Sequence, residues 1–140
     1  MAYKVTISGG IVLEKCIQNV VFNVDTCSGR QTTPRNSILI TGQVDIEEDT
    51  VALYQWALIC GSNTESYKEV SVEQYQKNLL VRKVNFNKAF VVDYSENYSN
   101  STGVGTFTLY IRQLFSKKVE VTSEETNAAS YAITEVANTN

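Results

Sequence analysis

Histidine is absent from this 140-residue chain, which removes the commonest general base and the commonest metal ligand together. The remaining side chains able to ligate or react in a cluster are a short acidic run, Asp45, Glu47, Glu48 and Asp49, and three thiols, Cys16, Cys27 and Cys60. The acidic run lacks the calcium-loop spacing with its glycine at position six. Lying just before an apolar helical pattern, its carboxylates suit the positive end of a helix dipole instead. The cysteines are odd in number and widely spaced, with no C-x-x-C pair. They read as reduced thiols packed as small hydrophobes, not as a disulfide framework. No G-x-S-x-G or S-x-x-K motif is present, and an acyl-transfer triad has no imidazole to serve it. Gly103-Val104-Gly105 lacks the G-x-x-x-x-G-K spacing of a phosphate loop. Carboxylate pairs for glycoside hydrolysis exist as residue types, but no insertion builds a cleft around them. The expectation is no catalytic residue, no metal and no cofactor: the chain is not read as an enzyme.

A net charge of −3 argues against nucleic acid as a partner, because a polyanion needs a basic face. No apolar run approaches the ~20 residues that span a bilayer, so membrane insertion is not expected. MAYKVTISGG has no signal-peptide core, which implies cytoplasmic assembly or export by another route. Asn97-Tyr98-Ser99 and Asn100-Ser101-Thr102 match the glycosylation pattern, and without a secretory signal they report only a polar loop.

The elements that would position these residues are mostly strands. KVTISGGIVLE pairs two alternating runs around Gly9-Gly10, which suits a two-residue hairpin turn. From Ile17 to Asp25, Val20, Phe22 and Val24 share a face. Ile38, Ile40, Val44 and Ile46 share a face in the next run, where Gly42 marks a bulge or a close backbone approach. The period then changes. Thr50–Cys60 reads as a helix with Asp49 or Thr50 as N-cap and Gly61 beyond its end. Its two stripes, Leu53/Trp56/Ala57/Cys60 and Val51/Tyr54/Leu58, are both apolar, so the helix is expected to be covered on most sides, with Trp56 buried. Strands at Tyr67–Tyr75 and Leu79–Phe86 follow, joined by Gln76-Lys77-Asn78. Then come a long hairpin over Ala89–Gln113 and a short strand near Lys117–Thr122. Arg82, Lys83, Lys88, Arg112, Lys117 and Lys118 alternate with apolar neighbours and are expected on the outer surface. Residues 1–122 read as one mainly-β domain: two antiparallel sheets of seven to nine strands forming a β-barrel, with one α-helix packed against it. Residues 123–140 read as a polar tail, either a weak strand through Tyr131 and Ile133 or disordered in the isolated subunit.

An ordered series of segments resembles a known family. An apolar strand leads into the helix with L-x-x-W-A. Tyr67-Lys68-Glu69-Val70 opens a strand pair, Ala89-Phe90-Val91-Val92-Asp93-Tyr94 opens the hairpin, and Gly105-Thr106-Phe107-Thr108-Leu109 runs into Ile111-Arg112-Gln113. Over roughly Ser37 to Lys118 this resembles the tube-forming haemolysin-coregulated protein family of type VI secretion and phage-tail-like injection systems. The resemblance implies a barrel that joins six to a ring, with rings stacking into the hollow inner tube of a contractile machine. It implies the chain itself as first partner, and sheath, spike or effector proteins as further ones. By position alone it marks the polar loop Thr26–Asn36, with Gly29, Arg30, Gln31, Thr32, Thr33, Pro34 and Arg35, as an assembly contact. The alternative from another class is a monomeric β-barrel that binds a small ligand or a peptide along an exposed edge.

Overall fold

A computed structural model describes residues 1–26, 34–59, 62–114, 118–124 and 131–136. Among these described residues nine strands are present: β1 (Ala2–Ile7), β2 (Ile11–Leu13), β3 (Ile17–Asp25), β4 (Arg35–Gln43), β5 (Lys68–Gln76), β6 (Leu79–Tyr98), β7 (Gly105–Gln113), β8 (Lys118–Ser123) and β9 (Tyr131–Val136). One helix, α1 (Val51–Ala57), and a 3₁₀ turn at Thr64–Ser66 lie between β4 and β5.

The expected pair of sheets forming a barrel is not what forms. All nine strands belong to one hydrogen-bonded sheet, in the order β2-β1-β5-β6-β7-β4-β3, with β8 added to β6 and β9 to β8. Among the described residues β2 and β3 do not pair, so the path stays open. The cause is β6, whose 20 residues run through both halves of the sheet. Its first half pairs with β5 on one edge and β8 on the other, and its second half pairs with β7. The polar pair Asn87-Lys88, which looks like a strand break in sequence, is absorbed as a register shift opposite Lys68–Val70. Such an extra residue bends a strand without ending it.

The sheet surrounds one apolar cluster, with Val5, Ile7, Ile38, Ile40, Val70, Val72, Phe86, Phe107, Leu109 and Ile111 all buried. Lys77 and Asn78 both have positive φ, which fits a two-residue β5–β6 turn whose twist matches that of its strands. The β1–β2 turn holds three residues, since Ile7 pairs with Ile11 around Ser8, Gly9 and Gly10. Gly42 is required by close approach. A Cβ there would collide with the Cys16 carbonyl oxygen and lie 2.8 Å from Phe107 Cε2. The carbonyl is fixed by the Gln43 N–H at 2.9 Å, so it cannot withdraw. Gly42→Ala is expected to cost about 1–3 kcal/mol as overpacking, read as a lower denaturant midpoint with an unchanged slope.

Helix α1 ends at Ala57, with Leu58 as its C-cap, short of the expected Cys60; Cys60 and Gly61 lie outside the described residues. Thr50 precedes it without capping by side chain. Its Oγ1 donates to the Asp45 carbonyl at 2.8 Å and accepts the Asp45 N–H at 3.2 Å. Leu53 and Trp56 are buried as the first stripe requires, and Trp56 Nε1 donates to the Ser66 carbonyl at 2.8 Å. The second stripe is not covered: Val51, Tyr54 and Leu58 are exposed.

Glu48 serves the fold differently from a helix-end charge. Its carboxylate accepts the backbone N–H groups of Glu14 at 2.9 Å, Lys15 at 3.2 Å and Cys16 at 2.9 Å, tying the turn before β3 to the segment before α1. Partial burial pushes the Glu48 carboxyl up, but hydrogen bonds from the Cys16 side chain and these three N–H groups outweigh it, so the group sits below its ordinary value. A lowered carboxyl stabilises the fold above its unfolded-state value, and that contribution disappears as pH falls through the folded-state value. Glu48→Gln is therefore expected to lower the melting temperature at pH 7 and to narrow the gap from wild type at acid pH, measured by thermal scans across pH. Burial and the Glu48 carboxylate together push the Cys16 thiol up to about 12, which keeps it an inert core residue.

Candidate assembly interface

Open sheet edges are the feature of this chain that most resembles a site. Among the described residues strand β3 pairs with β4 on one side only. Its sequence IQNVVFNVD contains no lysine, arginine or proline, the residues that natural edges use to block pairing. Val21 and Val24 on it are exposed. A second edge lies on β6. Pairing with β5 ends at Lys68↔Ala89, whereas pairing with β7 continues to Tyr98. From Phe90 to Tyr98 the edge facing away from β7 therefore has no strand beside it among the described residues.

Next to this β6 edge, α1 and the strand enclose a cleft of about 560 Å³ bordered by Tyr54, Leu58, Val91, Asp93, Tyr94 and Glu96. Period two along β6 places Tyr94, Glu96 and Tyr98 on one face. Both tyrosine hydroxyls donate to the Glu96 carboxylate, Tyr98 at 2.7 Å. Burial first, and then this carboxylate, push the Tyr94 hydroxyl well above its ordinary value, so it remains a donor. The Tyr94 ring stacks on Phe107 at 6.4 Å and meets Tyr54 edge-on at 5.7 Å, which anchors the rim of the cleft to the core.

The two ends of the β3-β4-β7-β6 half differ in charge. At one end, a cleft of about 470 Å³ lies between residues 44–51 and Tyr54, Glu96 and Tyr98. Ile46 projects there fully exposed, not on the face of Ile38 and Ile40 as its spacing suggests, because β4 ends at Gln43. At the other end, Pro34, Phe90 and Leu114 with Arg35, Asn36, Arg112 and Gln113 line a cavity of about 290 Å³. Of the loop residues expected to make an assembly contact, Pro34 and Arg35 lie here; Gly29, Arg30, Gln31, Thr32 and Thr33 lie outside the described residues, as do Cys27 and Lys117. Arg82, Lys88 and Arg112 are exposed, and Lys83 reaches Glu73 at 4.0 Å. Lys88 lies over the Tyr67 ring and Arg112 over the Tyr110 ring.

Hcp1 from Flavobacterium johnsoniae superposes with a TM-score of 0.62 at 19% identity, covering 95% of this chain and 100% of that one. A type VI secretion system effector from Yersinia pestis superposes with a TM-score of 0.70 at 10% identity, covering 96% and 98%. The chain has the Hcp fold. The tube-terminating cap of the anti-feeding prophage also matches, with a TM-score of 0.57 at 13% identity over 86% of this chain and 87% of that one. No protein-family model and no curated protein matches the sequence. The sequence resemblance and the three-dimensional comparison thus arrive at the same proteins from separate observations. In this Hcp-fold chain, sequence reasoning missed Ile46, the exposed stripe of α1 and the Tyr94–Glu96–Tyr98 cluster. The signal available for the last was tyrosine, glutamate and tyrosine at period two.

Proposed function

We propose that this protein is a structural subunit whose copies join as hexameric rings, and that the rings stack into the hollow inner tube of a contractile injection or phage-tail-like system. The observation that carries the reading is the end-to-end likeness to Hcp structures, which leaves little of this chain over for a separate activity. The open edges support it. The β3 edge of one copy, set against the Phe90–Tyr98 edge of the next, would continue the sheet from chain to chain. A contact between two different surfaces of identical chains closes into a ring when its rotation fits. The loop Gly29–Arg35 adds a contact to a neighbouring copy, with Pro34 stiffening it and its arginines offered to carboxylates. Assembly takes place in the cytoplasm, with export as part of the injection particle, and sheath, spike or effector proteins are the further partners.

Negative-stain microscopy of the purified protein tests this. Rings, and stacked rings at high micromolar concentration, are the expected result. A field of isolated subunits at that concentration overturns it.

A further inference from the structure

One end of the β3-β4-β7-β6 half carries an exposed isoleucine among carboxylates, and the other an apolar hollow beside cations. The two ends are about 20 Å apart, from the six residues separating Arg112 and Thr106 on β7 and the ~3.3 Å rise of a strand. At the first end, Ile46 is 100% exposed and lies between Asp45 and Glu47, with Asp49 and Glu96 lining the same cleft. Lys15 is the basic residue of the neighbouring turn, its N–H bonded to Glu48. At the second end, Pro34, Phe90 and Leu114 form an apolar hollow flanked by Arg35 and Arg112. Lys88 adjoins it, its N–H bonded to Gln113 Oε1 at 3.1 Å. Asp25 stands at this end too, opposite Arg35 in the β3–β4 register. Lys88 and Arg112 meet tyrosine rings of their own chain, which leaves their charge available to a carboxylate.

We propose that Ile46 of one copy seats in the Pro34/Phe90/Leu114 hollow of the next, with Asp45 and Glu47 facing Arg112 and Lys88. The occupant is a second copy of this chain, because each half of the contact is present on every copy and neither half complements itself. An isolated exposed isoleucine is ordinary. What distinguishes this one is a hollow able to hold a branched aliphatic side chain, flanked by Arg112 and Lys88, whose charge is opposite to that beside Ile46. Such a contact is heterologous and joins opposite ends of the subunit; with a rotation that does not close it propagates as a stack, with knobs unfilled at one end and hollows at the other. It rests on the tube reading and supplies the contact between rings, whereas the sheet edges supply the contact within them.

Two variants test it. Ile46→Asp puts a carboxylate where the hollow needs an aliphatic group. It is expected to raise the concentration at which rings stack by about tenfold or more, as losing a central apolar anchor does, with unchanged circular dichroism and intact single rings. The double variant Ile46→Cys/Leu114→Cys is expected to give a ladder of disulfide-linked oligomers on non-reducing gels after mild oxidation. Either single variant should stop at dimers, and the unsubstituted protein sets the background. Wild-type-like stacking by Ile46→Asp, or a double variant that gives no more than the singles, overturns the contact while wild-type rings would leave the tube reading standing. A ladder without wild-type rings or tubes would support the contact and remove the tube reading.

Discussion

Trp56→Ala is expected to lose about 3–5 kcal/mol of stability, the usual result of truncating a buried large aromatic, and with it most of the soluble folded protein. Trp56 is 2% exposed and belongs to the central apolar cluster with Leu53. Its indole N–H also satisfies the Ser66 carbonyl, a buried acceptor the variant would leave without that donor. Chemical denaturation of the variant and the emission of the native tryptophan check this. A variant with the wild-type midpoint, or emission characteristic of an indole in water, contradicts the assignment.

Replacing Gly29–Arg35 with a short Gly/Ser linker is expected to abolish tubes while the subunit keeps near-native circular dichroism. A surface connection tolerates such exchange thermodynamically, so loss of assembly without loss of fold would isolate a contact function. Electron microscopy of the variant decides it. Wild-type tubes would return the segment to an ordinary solvated loop, count against the Pro34 wall of the Ile46 hollow as well, and leave the contacts to the sheet edges.

The helix and its buried tryptophan were legible because a change from period two to period 3.6 is a strong local signal. The covering of that helix was not. Val51, Tyr54 and Leu58 are as apolar as a core stripe yet exposed in the single chain, and apolar composition reads the same whether its cover comes from this chain or another. The long hairpin was visible in Phe90–Tyr94 and Phe107–Ile111. The union of all strands into one open sheet was hidden because Asn87-Lys88 has the composition of a turn. Opposite β5 the same pair is absorbed into a bulge, and β6 continues. Ile46 was misplaced for a related reason: alternation predicts a face only while the strand lasts, and β4 stops three residues earlier. The assembly edges were the least legible. An edge is defined by the absence of a neighbour, which depends on topology and not on the strand's own sequence.

The most direct test of ring assembly is the mass of the particle in solution, by size-exclusion chromatography with light scattering at high micromolar concentration. The expected mass is about 94 kDa for a ring of six 15.6 kDa chains, with heavier species as rings stack. A single peak at 15.6 kDa that persists as concentration rises would contradict it.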